Sequence, residues 1–552
     1  MLTEPRAALS DTEAAPRPSR RATLLLLGAG IALAYMLLQP GLFADRPVFS
    51  SPQGNVTYAL TERFADGHGF RQPLPHAARL DPDVARALVP RDAAGDGEAV
   101  VPKEFAGPML LYGILAWLWQ PLAWLISPLA AAAGTVQLVR IVDALPWPGR
   151  ARRAHALSLA GGIGLLLWIS YPPLVINGSQ VYGSDTVSLA LMLTAVLHTI
   201  RFWRWGRTSD LLWTAAAFGA GVLFRYPNAL LGVPLAVSLL ATKRVTVRQA
   251  ALALTAVMPS VVALLAFNRA VYGSITATGY SLGVEQLGAA GLGPGGLFGF
   301  DPAVAASFLR PYVLESPMLL APAIVGLILG IRAAPRAAER ALIISLLAAA
   351  GLIVAFHIGH PAWGRDRTVV NASILRYLLP ATAIGFAFLA LELGGLRRRV
   401  RVLLVVVLVA GSLGTAVFGY AGVAARARFV RWHTDIRADV IAATEPDALI
   451  AAKLADKYLF PERQTLTLTF LVDGESDAVA RANRAWDHVP TPERFADVAA
   501  RVRAAGIPLY FLDDTLIDGL LERYRRALAA RGLTLARVTK EEPLLYRIAG
   551  GG

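Results

Sequence analysis

The sequence predicts an all-α polytopic membrane domain followed by a C-terminal α/β domain, and three observations support this prediction. Of the 552 residues, 55% are hydrophobic, and the mean hydropathy is +0.50. Apolar windows of about 20 residues, the length that crosses the hydrocarbon core of a bilayer, recur along the chain. Beyond residue 425 the pattern changes to short strand-like runs that alternate with amphipathic helical stretches.

About eleven membrane spans satisfy the distribution of basic residues. Arginine and lysine cluster in every second short loop, which places those loops in the cytoplasm by the positive-inside rule. The expected spans lie near 22–43, 107–126, 155–176, 184–203, 209–227, 228–242, 247–268, 315–332, 340–357, 374–394 and 401–422. The segment 127–147 is either an amphipathic helix on the inner face or part of a longer hairpin. We therefore expect a plasma-membrane protein with a cytoplasmic N-terminus and an extracytoplasmic C-terminus.

Charge and cysteine content exclude several classes of function. The chain has 53 Lys and Arg against 39 Asp and Glu, a net charge of +14. Because the basic residues cluster in short loops between apolar segments, they indicate orientation in the membrane rather than nucleic-acid binding. The absence of cysteine excludes disulfides, thiolate metal sites and a cysteine nucleophile. The eight histidines show no paired ligand spacing, so the sequence implies no metal site, and it assigns no cofactor.

The predicted organisation has three parts. Residues 1–21 form a cytoplasmic tail, residues 22–425 the membrane domain, and residues 426–552 a soluble extracytoplasmic domain. Outer loops at 44–106 and 269–314 are too long to be simple connectors, so function is expected on the outer face. In the tail, "DALIAAK", "TLTLTF", "IPLYFLDD" and "LLYRIA" are typical of strands, and two stretches that end in glycine are typical of helices.

Charged side chains collect at the predicted outer ends of the spans, against the positive-inside bias. In "VVPKEFAGPMLLYG", Lys103 and Glu104 stand side by side just before an apolar run. One interpretation is that they mark the end of a helix, and the other is that they line a reaction site at the membrane surface. Asp185, Arg225, Arg367 and Arg376 lie in other outward segments, where several converging cations favour an anion site.

The order of several short motifs resembles the membrane glycosyltransferases of the GT-C fold, close to the protein mannosyltransferase and aminoarabinose transferase group. The similarity covers most of residues 20–425, as architecture and spaced short motifs. The motifs that carry it are "GNVTYALTERFADGHGF", "VVPKEFAGPMLLYG", "NRAVYGSITATGY", "ESPMLLAPAIVGLILGIR" and "ILRYLLPATAIGFAFLAL". The family carries an acidic pair shortly before the tyrosine of the first motif. This chain has Gly54 and Asn55 there, so the catalytic acid cannot be assigned by position.

The resemblance implies transfer of a sugar from a polyprenyl-phosphate donor to an extracytoplasmic glycan, lipid or protein acceptor. A carboxylate would take the acceptor proton, and cations would stabilise the departing lipid phosphate. The candidates for the base are Glu104, Asp45, Glu62 and Asp185. The candidates for substrate binding are Lys103, Tyr58, Arg225, Arg367, Arg376 and Tyr377.

Two other classes of protein stay open at this point. The missing acidic pair fits a non-catalytic scaffold or sensor with the same architecture. A lipid or polysaccharide transporter would also have many spans, although such proteins are typically built from internal repeats, and no clear repeat is visible in this sequence.

Overall fold

The computed structural model describes residues 18–40, 48–49, 52–90, 93–95, 97–147, 159–279, 300–314, 317–336, 339–359, 375–395, 398–453, 455–468, 491–514, 519–540 and 544–550. Most of these residues are helical. The helices up to residue 443 are α1 (Pro18–Leu37), α2 (Pro52–Ala65), α3 (Pro82–Arg86), α4 (Ala106–Trp119), α5 (Ala123–Ala144), α6 (Leu159–Ile169), α7 (Pro172–Gly178), α8 (Asp185–Trp205), α9 (Thr208–Phe224), α10 (Ala229–Ala241), α11 (Val247–Tyr272), α12 (Pro302–Leu309), α13 (Pro317–Ala333), α14 (Arg340–Ile358), α15 (Leu379–Gly395) and α16 (Arg398–Ala443).

Five helical segments in the described part of the chain are long and apolar enough to cross a membrane. They are Ala106–Ala144, Asp185–Trp205, Val247–Tyr272, Arg340–Ile358 and Arg376–Leu393, and shorter apolar helices lie beside them. Only 6% of the apolar window of α11 is buried, as expected for a helix that contacts lipid. The total of eleven spans stays a prediction.

Glycine allows the central helices of the bundle to approach closely. A Cβ atom on Gly326 of α13 would lie 1.8 Å from the carbonyl oxygen of Gly385 in α15. A Cβ atom on Gly385 would in turn lie 2.4 Å from the carbonyl oxygen of Ala323. Small residues at such crossings bring backbones together, which is the usual way that membrane helices gain van der Waals contact.

Three predicted spans differ from the helices that form. The predicted span 155–176 is broken into α6 and α7, because Pro172 has no N–H to continue the helical ladder and instead begins the next helix. The segment after residue 107 turns at Gln120–Leu122 and then continues as α5. The predicted span 401–422 is part of α16, a single helix of 46 residues.

The loop between α1 and α4 contains a small antiparallel sheet besides α2 and α3. Its strands β1 (Gln72–Pro73), β2 (Ala93–Gly95) and β3 (Ala99–Pro102) are arranged in the order β1-β3-β2. All four residues of β3 are buried. The strand therefore holds the chain firmly up to the residue before Lys103.

The tail contains a five-stranded mixed sheet. Its strands are β4 (Leu449–Ala452), β5 (Gln464–Thr467), β6 (Leu509–Asp513), β7 (Leu533–Arg537) and β8 (Leu544–Gly550), in the order β5-β4-β6-β8-β7. β4 pairs in parallel with β5 and β6, and β8 pairs antiparallel with β6 and β7. Strands lie in each of the four segments that the sequence predicted to form them. The helices of the tail are α17 (Asp456–Leu459), α18 (Pro492–Ala504) and α19 (Leu520–Ala529).

Helices cover both faces of this sheet. The end of α16 packs on one face through Ile436 and Val440. On the other face, buried residues of α18 and α19 form one continuous cluster with residues of the loop between α1 and α4, the start of α4 and the end of α11. The amide of Thr467 also donates to the carbonyl of Ala87 in the loop, at 3.2 Å. The tail therefore shares its core with the loop that carries Glu104.

Candidate active site

Lys103 and Glu104 lie at the junction between a buried strand and a long apolar helix. β3 ends at Pro102, Phe105 is the extended residue before the helix, and α4 begins at Ala106. Both charged side chains are buried, with exposed fractions of 6% and 8%. Buried charges are costly unless neighbouring groups compensate them, so their position is not that of ordinary helix-end charges in solvent.

Contacts from the end of α11, from the segment after it and from the turn after α9 fix this junction. The Tyr272 hydroxyl, at the end of α11, donates to the carbonyl of Pro102 at 2.9 Å. Gly279 lies so close that a Cβ atom there would be 2.5 Å from the Cα of Lys103. The ring of Phe105 packs edge-on against Tyr226, with centroids 4.7 Å apart. The Glu104 backbone is therefore held from several sides.

Charged residues at three helix ends form an ion cluster near Glu104. Asp185 is the first residue of α8, where the helix dipole favours a negative charge. Its carboxylate contacts the guanidinium of Arg225, which follows α9, and lies 3.6 Å from Nη1 of Arg376, which precedes α15. All three side chains are largely buried. Asp185 thus holds together two arginines that are distant from each other in the sequence.

Tyr377 supports both arginines from one side. The guanidinium carbons of Arg225 and Arg376 lie 4.4 Å and 4.9 Å from the centre of its ring. Nη2 of Arg376 also donates to the Tyr377 hydroxyl at 2.9 Å. The ring of His357 stacks on Tyr377 with centroids 5.1 Å apart. The aromatic face and the carboxylate together fix the planes of the two guanidiniums.

Four buried polar atoms of this cluster have no hydrogen-bond partner within the described part of the chain. One is Oδ1 of Asp185, which the ion pair with Arg225 compensates, and the others are Nε of Arg225, Nε of Arg376 and Oε2 of Glu104. Unsatisfied buried polar atoms are rare in folded proteins and cost about 1–3 kcal/mol each. Two cationic donors and one carboxylate acceptor are consequently available to a bound molecule.

The electrostatic surroundings of Glu104 suit proton transfer near neutral pH. Burial raises the pKa of its carboxyl to about 7, against the lowering effect of Arg225 and Arg376, while Asp185 raises the pKa further. A carboxyl with such a pKa exchanges its proton readily at neutral pH, as a general base requires.

Tyr58 and Glu62 lie next to each other on α2. The Tyr58 hydroxyl donates to Oε1 of Glu62 at 2.7 Å, and burial together with this hydrogen bond raises the pKa of Tyr58 to about 12. Tyr182 packs between this pair and Tyr112. Its ring lies 5.9 Å from that of Tyr58 and 4.8 Å from that of Tyr112, whose hydroxyl donates to Gly183 at 2.9 Å.

Asn55 occupies a position where the resemblance implied an acid, and it has a structural role. Its Oδ1 accepts from the amide of Phe49 at 3.0 Å, and its Nδ2 donates to the carbonyl of Phe49 at 2.9 Å. A carboxylate could not make the second bond, because it has no hydrogen to donate. Asn55 therefore anchors the chain that enters α2.

The structure thus brings together most of the residues proposed from the sequence. Glu104, Asp185, Arg225, Arg376 and Tyr377 belong to one cluster. Lys103 is buried next to Glu104, and Tyr58 and Glu62 lie on α2, where Tyr58 packs against Tyr182. Asp45 and Arg367 lie outside the described residues. Sequence reasoning did not single out Tyr182, Tyr272 or Arg426, which lie on or near this cluster.

Comparison with known proteins agrees with this architecture. Residues 156–268, about a fifth of the chain, match the family model described as dolichyl-phosphate-mannose-protein mannosyltransferase. No curated protein matches the sequence. The crystal structure of ArnT from Cupriavidus metallidurans bound to undecaprenyl phosphate superposes with a TM-score of 0.51, at 16% identity, over 95% of this chain and 98% of that chain. ArnT is a GT-C glycosyltransferase. This chain has the GT-C fold.

The apo form of the same enzyme gives a similar result, with a TM-score of 0.52 and 15% identity over 96% of this chain and 99% of ArnT. The superposition therefore extends over the long loops and the tail as well as over the apolar helices. The matched residues 156–268 include Asp185 and Arg225, two members of the ion cluster.

Proposed function

We propose that the protein transfers a sugar from a polyprenyl-phosphate donor to an extracytoplasmic acceptor. The observation that carries this proposal is the buried carboxylate of Glu104, with a free oxygen, beside two arginines that each keep an unfilled Nε–H. A base and an anion site in one buried cluster are the two parts that this reaction needs.

The two arginines suit a lipid phosphate. A guanidinium presents several N–H donors in one plane and matches the oxygens of a phosphate. Asp185 and Tyr377 already fix the orientation of both groups, so little conformational entropy is lost on binding. Lys103, buried next to Glu104, adds a further positive charge. ArnT, which has a related fold, was crystallised with undecaprenyl phosphate, and this supports a polyprenyl phosphate as the bound lipid.

Glu104 acts as the general base in the proposed reaction. Its free oxygen takes the proton of the acceptor hydroxyl while the acceptor oxygen forms a bond to the anomeric carbon. The bond between that carbon and the phosphate oxygen breaks, and the electron pair leaves with the polyprenyl phosphate. Arg225 and Arg376 stabilise the charge that develops on this leaving group.

Asp185 has a different part in this proposal. Its carboxylate is engaged by two guanidiniums, and a base in that position would release both arginines when it took up a proton. Asp185 therefore orients the phosphate site. Glu62, whose Oε1 accepts from Tyr58, is the second candidate for the base.

One observation favours a non-catalytic relative with the same fold. Asn55 stands where the family's acidic pair is expected, and both ends of its side chain are bonded to Phe49. A scaffold or sensor could keep the lipid site without the chemistry. Such a protein would bind polyprenyl phosphate and transfer no sugar.

A donor screen with the purified protein tests the proposal. The protein is incubated in detergent or nanodiscs with polyprenyl phosphates that carry different radiolabelled sugars, together with a membrane extract as acceptor. We expect label to leave one donor and free polyprenyl phosphate to appear in equal amount. Binding of undecaprenyl phosphate without any transfer would favour the scaffold, and the absence of both would contradict the proposed site.

A further inference from the structure

Helix α16 passes from the membrane domain into the tail without a break. At 1.5 Å per residue its 46 residues extend about 69 Å, more than twice the hydrocarbon thickness of a bilayer. Its first half exposes large apolar side chains such as Leu403 and Phe418, as a lipid-facing helix does. Its last turns carry Ile436 and Val440 into the core of the tail.

Between these two parts α16 packs closely on α7. A Cβ atom on Gly419 would lie 3.5 Å from the Cα of Pro172, and one on Gly422 would lie 2.9 Å from Cδ1 of Ile176. The two glycines are three residues apart and therefore lie on the same face of the helix. This close approach brings the next residue of that face, Arg426, over the end of α7.

Arg426 holds the segment that leads from α7 into α8. Its Nη1 donates to the carbonyl of Ile176 at 3.0 Å and to Oε1 of Gln180 at 3.3 Å. This segment contains Tyr182 and ends at Asp185, the carboxylate between the two arginines of the site. The Arg426 charge also lies close enough to Arg376 and Asp185 to interact with both.

We propose that Arg426 is a positioning residue for the anion site. Its hydrogen bonds fix the segment 176–184 and thereby the position of the Asp185 carboxylate. That carboxylate in turn orients the guanidiniums of Arg225 and Arg376. Because Arg426 lies on the helix that enters the tail, the same contact couples the position of the tail to the geometry of the site. This inference rests on the proposed transferase function, but its first test does not depend on that function.

The first test measures the segment itself and needs no ligand. In Arg426→Ala, we expect amide hydrogen exchange of residues 176–184 to rise about tenfold, because two charged hydrogen bonds are lost and local opening becomes easier. The matched control is Arg428→Ala, which removes an exposed arginine two residues along the same helix. Unchanged exchange in 176–184 would overturn the proposal, whatever the activity of the protein.

The second test measures the anion site. We expect Arg426→Ala to weaken binding of undecaprenyl phosphate by about ten- to hundredfold at an unchanged thermal midpoint. We expect Arg426→Lys, which keeps the positive charge and one donor nitrogen, to restore most of the affinity. Arg426→Gln replaces the alanine variant if that one does not fold. Faster exchange in 176–184 with unchanged affinity would show a merely structural contact and contradict the proposal. If the wild type binds no polyprenyl phosphate, the proposed function fails, and the exchange experiment still decides the role of Arg426.

Discussion

Two positively charged side chains, Arg225 and Arg376, lie near Glu104 and lower the pKa of its carboxyl. Burial raises this pKa by more than the arginines lower it, so the net shift is upward. A base works only after it has lost its proton. We therefore expect kcat/KM to fall about tenfold per pH unit below pH 7 and to level off above it. A pH profile measured from 5.5 to 8.5 checks this expectation. A flat profile through pH 7 would show that another group is the base.

The Asn55 side chain provides a second test at the level of single residues. Asn55→Asp replaces the donor that bonds to the Phe49 carbonyl with an acceptor, so two acceptors face each other. We expect a loss of about 1–3 kcal/mol in the free energy of unfolding and no gain in transferase activity. Thermal unfolding in detergent measures the first effect. Asp66→Asn, an exchange at an exposed position of the same loop, is the control. A more active Asn55→Asp protein would show that a carboxylate at this position can serve as the base, and would contradict the purely structural role of Asn55.

Single residues of the site were partly predictable from the sequence. Charges at the outer ends of apolar segments are costly, so Glu104, Asp185, Arg225 and Arg376 were recognisable as candidates one by one. Their pairing was not predictable, because it depends on how α8, α9 and α15 pack. Arg426 was missed because the predicted span ended at residue 422, and the arginine therefore fell in the supposed soluble tail.

At the scale of elements, the junction between α8 and its partners decides the geometry of the anion site. Asp185→Asn keeps the shape of the side chain and removes the charge that holds both guanidiniums. We expect this variant to bind undecaprenyl phosphate about tenfold or more weakly, because the arginines lose their common orientation and must be ordered on binding. Isothermal titration or native mass spectrometry measures this affinity. The substitution Asp66→Asn, at an exposed position, again serves as the control. Tighter binding by Asp185→Asn would show that the carboxylate repels the phosphate and does not orient the arginines for it.

Hydrophobic periodicity located most helices to within a few residues, but it did not locate their breaks and extensions. The break at Pro172 follows from one missing N–H inside a continuous apolar run. The extension of α16 to Ala443 crosses from lipid to water, where the apolar pattern of the span ends although the backbone hydrogen bonds continue. A hydropathy window registers the change of solvent and not the end of the helix.

At the scale of the whole molecule, the tail and the first outer loop share one hydrophobic cluster. The fragment 430–552 is still expected to fold by itself, since its sheet is covered by helices on both faces. We expect its cooperative transition at a lower temperature than in the full chain, because separation from the loop exposes the shared apolar surface. Circular dichroism of the fragment tests this. A fragment without a cooperative transition would mean that the tail is not an independent domain.

The orientation of the whole chain is a prediction from its basic loops. The absence of native cysteine makes every introduced cysteine a unique reporter. The exposed positions chosen are His68, Arg531 and Arg399. In intact cells, or in spheroplasts if there is an outer membrane, we expect an impermeant thiol reagent to label His68→Cys and Arg531→Cys, and to label Arg399→Cys only after lysis. The reverse pattern would place the site on the cytoplasmic face.

The central claim is that Glu104 takes the acceptor proton beside a phosphate held by Arg225 and Arg376. Its most direct test is the turnover of Glu104→Gln with the donor identified by the screen, alongside Glu62→Gln and the exposed control Asp66→Asn. We predict that kcat of Glu104→Gln falls by about two to four orders of magnitude with nearly unchanged donor binding, while the control keeps wild-type turnover. Wild-type kcat in Glu104→Gln, together with a loss of activity in Glu62→Gln, would contradict this assignment and move the base to α2.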